Sequence, residues 1–192
     1  MTGILGGTFD PPHNGHVALA RAALERLPID RLLVLVAADP GHRRVVADAE
    51  SRLRLARAAF AGLPAEVVRD ENRFTVDAVR GGRFGEALFV VGADEGAAFP
   101  TWKEPEEVLR WVRLAVGTRS GYAPPDLARY GDRVVSFELE SPDVSSSEVR
   151  ERVERGERID DLVPDAVAEE IAGLGLYRGY TESETEKDPK RP

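Results

Sequence analysis

The sequence predicts an α/β protein: a doubly wound parallel sheet with helices added at its C-terminal end. Three observations carry that prediction. Strand-length apolar runs alternate with helical patterns along most of the chain, which implies right-handed strand–helix–strand crossovers and so a parallel sheet. The run over 31–38, Arg-Leu-Leu-Val-Leu-Val-Ala-Ala, is apolar at successive positions, as a strand covered on both faces must be. The first strand also runs into a glycine-rich turn that opens directly into an amphipathic helix, the place where such sheets bind ligands.

The elements follow in order. Gly3, Ile4 and Leu5 form the first strand, and Val17, Ala20, Leu24 and Leu27 mark the apolar face of the first helix. After the strand at 31–38 come a helix over 49–61, carrying Leu53, Leu55, Ala56, Ala59 and Phe60, a short strand at 65–69 and a short helix at 75–80. Strands follow at 86–91 and 113–118, with a helix opened by Pro105 between them. A last strand at 134–139 precedes helices over 147–155 and 164–174. In a doubly wound sheet the first and fourth strands border the binding crevice. Residues 1–177 read as one domain, and the polar, charged stretch 178–192 reads as a disordered tail.

Composition narrows the function. The 192 residues suffice for one substantial core. A net charge of −8 gives no global field that favours nucleic acid, so any polyanion must meet a local cluster of cations. No apolar run approaches the roughly 20 residues of a membrane span, and the N-terminus starts in strand residues without a signal pattern. The expectation is a cytoplasmic protein. Cysteine is absent, which excludes disulfides. Only Lys103, Lys187 and Lys190 among the 26 basic residues are lysine, so an arginine in a lysine's usual place fits the general usage.

The turn over 6–16 reads Gly-Gly-Thr-Phe-Asp-Pro-Pro-His-Asn-Gly-His. His13 and His16 therefore flank the N-terminus of a helix, where unpaired N–H groups and the positive end of the helix dipole favour an anion. Gly6 and Gly7 are expected to let a phosphate approach the backbone with no Cβ in the way. Imidazoles, unlike lysine, can follow proton demand near neutral pH. Zinc fits less well, since His42 is the one further histidine and there is no cysteine. A second constellation, Val-Ser-Ser-Ser-Glu-Val-Arg, spans 144–150. Ser146 or Ser147 reads as the N-cap of the helix that follows, with Arg150 at its rim. Taken alone, this string also fits a capped surface helix with Arg150 paired to Glu154, worth about 0.3–0.5 kcal/mol.

Together the two strings resemble the His-x-Gly-His nucleotidylyltransferase superfamily, whose second signature is Ile-Ser-Ser-Thr-x-x-Arg. Further stretches resemble the bacterial nicotinate-nucleotide adenylyltransferases. They are Thr75-Val76-Asp77, Gly92-Ala93-Asp94 with Thr101-Trp102, and the segment from Leu162 to Tyr177 that ends Leu-Gly-Leu-Tyr. Three stretches depart from that family's pattern. Arg73-Phe74-Thr75 replaces Ser-Tyr-Thr, Lys103 stands where histidine or tyrosine is common, and Pro40-Gly41-His42-Arg43 replaces Pro-Pro-His-Lys.

The resemblance implies a Rossmann-like nucleotidylyltransferase fold and adenylyl transfer from ATP to nicotinate mononucleotide, giving nicotinate adenine dinucleotide and pyrophosphate. It implies catalytic roles for His13, His16 and Arg150, with ATP bound by Gly6, Gly7, Thr8, Phe9, Gly92, Asp94, Arg119, Ser145 and Ser146. Asp10, Arg43, Thr75, Trp102 and Lys103 fall to the acceptor. Trp102 also has a physical reason, since an indole gains both burial and cation–π attraction from a pyridinium ring. Mg²⁺ is expected to be held mainly by substrate phosphates, with no metal ligands from the protein. Neither nucleic acid nor membrane is expected as a partner, and homo-oligomerisation is left open. Two alternatives stand beside this reading: the same transfer to nicotinamide mononucleotide or phosphopantetheine, and a non-catalytic nucleotide-binding protein.

Overall fold

A computed structural model of the chain describes residues 1–41 and 45–179. Six strands form one parallel sheet: β1 (Thr2–Gly7), β2 (Arg31–Ala37), β3 (Ala65–Asp70), β4 (Ala87–Gly92), β5 (Arg113–Arg119) and β6 (Val134–Leu139). Their spatial order is β3-β2-β1-β4-β5-β6, so strand order reverses between β1 and β4, the crevice expected from the sequence. The register sets Leu5 beside Val34 on one side and Val90 on the other.

Among the described residues, seven α-helices cover the sheet: α1 (Asn14–Arg26), α2 (Ala49–Phe60), α3 (Thr75–Val79), α4 (Ala93–Ala98), α5 (Pro105–Trp111), α6 (Ser146–Glu154) and α7 (Asp165–Leu174). Helices α1, α2, α6 and α7 pack their apolar faces into one cluster with Leu5, Val34, Val90 and Ala115 of the sheet. On the opposite face, α3 and α5 join Ile4, Leu35, Phe89 and Val116 around Phe99 and Tyr130. None of the described helices is long and apolar enough to cross a membrane. The expected tail lies outside the described residues from 180 onward.

Two features differ from the sequence expectation. Helix α4 occupies the place read as a simple Gly-Ala-Asp turn, with Gly92 as its N-cap. Along α1 the buried face is Leu19, Ala20, Ala22 and Ala23, while Val17, Leu24 and Leu27 are only partly covered. Small alanines let α1 lie close against the strands.

One buried charge organises the loops above the sheet. Arg52 continues the α2 stripe of Leu55, Ala56 and Ala59, and is 1% exposed. Its guanidinium donates to the carbonyls of Ala47 (3.1 Å), Thr8 (2.9 Å), Ala37 (2.6 Å) and Ala38 (3.1 Å). It thereby ties the C-terminal ends of β1 and β2 to the segment entering α2. Burial pulls its pKa below the ordinary arginine value, and the nearby Asp10 carboxylate offsets part of that. Replacing Arg52 by methionine keeps the apolar stem and strands four carbonyls. Thermal unfolding of Arg52→Met is expected to show a loss of about 3 kcal/mol or more, roughly 6–12 °C in Tm. Arg52→Lys recovers less than half of it, having no planar fork.

Candidate active site

The crevice between β1 and β4 opens into a cleft of about 1630 Å³ that runs along the C-terminal edge of the sheet. The turn after β1, the starts of α3, α4 and α6, and the end of β5 all contribute to it. That volume accommodates two nucleotides side by side, well above the ~300–1,000 Å³ typical of a single small-ligand pocket.

His13 and His16 stand at the start of α1 with ring centroids 3.8 Å apart. The His13 backbone N–H donates to His16 Nδ1 at 3.2 Å. An accepting Nδ1 carries no proton, so the neutral His16 ring holds its proton on Nε2. His13 is largely buried, its Nδ1 has no hydrogen-bond partner among the described residues, and burial lowers its pKa to about 4. Near neutral pH it is an uncharged imidazole. A Cβ on Gly15 would press on the His13 ring at 3.1 Å, which accounts for the glycine between the histidines.

Helix α6 faces this pair. Its N-cap is Ser145, whose hydroxyl accepts the Glu148 N–H at 3.1 Å, one position ahead of Ser146 and two ahead of Ser147, the predicted caps. Ser146 instead sends its hydroxyl to the Pro11 carbonyl at 2.8 Å. Arg150 donates through Nη1 to the Asp10 carbonyl at 2.8 Å and through Nη2 to Ser147 Oγ at 3.0 Å. Two strings far apart in sequence thus meet in one site, sewn together by side chain–backbone bonds.

On the other side of the crevice, Trp102 lines the cleft and packs edge-on against Phe99 (5.2 Å) and Phe89 (5.9 Å) of the core. It is both a loop anchor and part of the wall. Lys103 sits over the Phe74 ring at 4.5 Å, and its ammonium reaches Asp77 at 3.1 Å. The acceptor role expected of Lys103 therefore competes with an internal partner. Thr75 opens α3 and lines the cleft. Arg73 is exposed in the same wall.

The remaining expected residues divide between cleft and interior. Gly92 and Asp94 line the cleft at the start of α4, and Arg119 lines it at the end of β5, paired with Asp143 at 2.9 Å. Gly6 and Gly7 line the cleft, and a Cβ there would also strike the rings of Phe89 (2.9 Å) and Phe9 (2.8 Å). Thr8 gives its carbonyl to Arg52. The Phe9 ring is buried against His16 and Phe60. Asp10, assigned to the acceptor, is 4% exposed and turns its carboxylate inward. It accepts from the N–H groups of Val46 (2.6 Å) and Ala47 (3.1 Å) and from the Tyr177 hydroxyl (2.8 Å). Arg43 lies outside the described residues.

Sequence reasoning missed Arg52 and the inward bonds of Asp10. The available signal was an arginine in register with Leu55, Ala56 and Ala59 on the buried stripe of α2. Among the described residues, no group of three or more His, Cys, Asp or Glu side chains is gathered as a metal site. The donors that face the cleft include imidazole, hydroxyl, guanidinium and the Lys103 ammonium, a set that matches phosphate and carboxylate oxygens.

Comparison with known proteins agrees with this geometry. A cytidylyltransferase-like family profile matches residues 4–152. A probable nicotinate-nucleotide adenylyltransferase of Bordetella avium is 38% identical over 191 residues, covering 92% of this chain and 97% of its own. One from Gemmatimonas aurantiaca is 39% identical, covering 93% and 92%. Among solved structures, nicotinic acid mononucleotide adenylyltransferase of Plasmodium falciparum, complexed with NaAD, shares the fold at a TM-score of 0.75 and 16% identity, over 92% of this chain and 96% of its own. With its histidine turn and its serine–arginine helix on one cleft, and relatives of that identity along nearly its whole length, this chain belongs to the nicotinate-nucleotide adenylyltransferases of the cytidylyltransferase-like family.

Proposed function

We propose that the protein transfers the adenylyl group of ATP to nicotinate mononucleotide, giving nicotinate adenine dinucleotide and pyrophosphate in NAD synthesis. The observation that carries this reading is the junction of the two motifs. Ser146 and Arg150 of α6 bond to Pro11 and Asp10, the residues just before His13. An oxygen of the acceptor's 5′-phosphate attacks the α-phosphorus of ATP, and the bond to the bridging oxygen breaks, with its electron pair leaving on pyrophosphate. The attacking phosphate is already ionised, so positioning and charge stabilisation suffice. In this reading His16 donates its Nε2–H to the phosphates as charge develops, with His13 beside it. Arg150, Ser145 and Ser146 hold the departing pyrophosphate, Gly92 and Asp94 border the adenosine, and Arg119 assists at the rim. A divalent cation, Mg²⁺ in this reading, enters on the ATP phosphates as part of the substrate.

The acceptor lies against Trp102 and Thr75. Telling a carboxylate from an amide of the same shape requires donors, and the Thr75 N–H, first in α3, has no partner within its helix. An amide NH₂ turned toward such donors leaves them unpaired at about 1–3 kcal/mol each.

Three measurements test these assignments. With pyrophosphate release as the readout, His16→Ala and Arg150→Ala are each expected to lower kcat by at least about 10²-fold. The exposed Arg155→Ala, just past the same helix, changes it less than about twofold. Comparable losses in all three variants would remove the phosphate roles.

A second measurement follows stability with pH. The folded His13 pKa of about 4 lies below its ordinary 6.5, so its contribution is complete above pH 6.5 and is lost as pH falls toward 4. Wild-type stability relative to His13→Asn is therefore expected to decline by up to about 3 kcal/mol across that window. Parallel stability curves for the two proteins would mean that His13 titrates normally.

The third compares acceptors. Nicotinate mononucleotide is expected to exceed nicotinamide mononucleotide at least about tenfold in kcat/KM. Trp102→Ala weakens both alike and leaves the KM for ATP in place. Arg73→Ala narrows the preference more than Lys103→Ala, whose ammonium is already held by Asp77. Equal use of acid and amide would confine the assignment to adenylyl transfer.

A further inference from the structure

Tyr177 lies beyond the end of α7, where Gly175 in the left-handed conformation closes the helix. Its own backbone is left-handed as well (φ 62°), an arrangement that costs a non-glycine residue about 1–2 kcal/mol. The result is a phenol turned inward, 4% exposed, whose hydroxyl donates to Asp10 Oδ1 at 2.8 Å across 167 residues of chain. Packing alone does not explain that hydroxyl, because phenylalanine would fill the same space. Burial raises the Tyr177 pKa, so the group remains a donor at any working pH.

Asp10 is gripped at both ends. Its carboxylate takes Tyr177 together with the Val46 and Ala47 N–H groups, and its carbonyl receives Arg150 Nη1. Rotation of the Asp10 side chain pulls on the same residue whose carbonyl aims the guanidinium. We infer that Tyr177 is a positioning residue for adenylyl transfer: through Asp10 it fixes the carbonyl that orients Arg150 toward the leaving pyrophosphate. The inference rests on the reading of Arg150 given above. A small misplacement of a transition-state group appears mainly in kcat, and a 1 Å error can cost about 10²-fold.

The test is Tyr177→Phe, which removes a single oxygen, assayed beside the wild-type protein with ATP and nicotinate mononucleotide. The expected result is a kcat lower by about tenfold, with the KM for ATP changed less than about threefold. In an Arg150→Ala background the same substitution is expected to change kcat less than about twofold, because its effect passes through the guanidinium. Calorimetric binding of inorganic pyrophosphate gives the parallel test without turnover: weaker by about threefold or more in Y177F, and unchanged by it once Arg150 is alanine. A wild-type protein without turnover would therefore count against the reaction, while the pyrophosphate measurement still decides the role of Tyr177. Wild-type kcat and pyrophosphate affinity in Y177F would overturn the inference. So would equal losses with and without Arg150, or a Y177F that does not fold, since either outcome assigns the hydroxyl to general stability.

Discussion

The site depends on one constraint: the turn after β1 must hold a conformation that it would not keep alone. Phe9 sits at φ 52°, in the left-handed region that disfavours any residue with a side chain. Such strain persists only where the surroundings over-determine it. Here Arg52 takes the Thr8 carbonyl, three donors converge on the Asp10 carboxylate, and Arg150 and Ser146 take the carbonyls of Asp10 and Pro11. A buried charge is expensive unless its hydrogen-bonding capacity is filled. Arg52 and Asp10 are buried with theirs engaged, so any displacement of the turn strands a charge. The cost of burying them becomes rigidity of the histidines that follow.

That rigidity suits a reaction in which the protein transfers no proton of its own. The rate is then set by how well donors are aimed at oxygens where charge accumulates, and preorganised donors need no rearrangement as it does. Uncharged imidazoles fit the task in a chain whose net charge is −8, because they donate hydrogen bonds without requiring buried counter-charges. The lowered pKa of His13 follows from the same enclosure. Positive charge enters only locally, from Arg150 and Arg119 at the rim and Arg73 and Lys103 on the opposite wall.

Much of this was legible in the sequence, for physical reasons. Strands covered on both faces are unbroken apolar runs, and the segment at 134–139 coincides with β6. Short elements were harder. Helix α4 has six residues, too few to show a period, and begins with Gly-Ala-Asp, which also spells a turn. Three consecutive serines are equally good caps by composition, so only the Ser145–Glu148 bond distinguishes the true one. Gly6 and Gly7 were rightly singled out as close-approach positions, yet the nearest neighbours are the molecule's own phenyl rings. Charged residues were the least legible: Arg52 goes unmarked in the helix read over 49–61, and the inward bonds of Asp10 leave no local pattern, yet both side chains are buried. Local pattern cannot report a partner 167 residues away, as Tyr177 is from Asp10.

The two halves of the cleft are built to different tolerances. The side proposed for ATP rests on the central strand, on two helices of nine residues or more, and on side chain–backbone bonds that leave little freedom. The side proposed for the acceptor rests on the five residues of α3, a loop after α4, and a half-exposed Lys103–Asp77 pair of the kind worth about 0–1 kcal/mol. Substitutions there disturb little of the core. Of the positions at which this chain departs from the family pattern, Arg73, Phe74 and Lys103 lie on that looser wall or its rim. A fold arranged in this way can change its acceptor by exchanging a few weakly held side chains. Changing the nucleotide side would mean rebuilding the buried bonds that hold the turn.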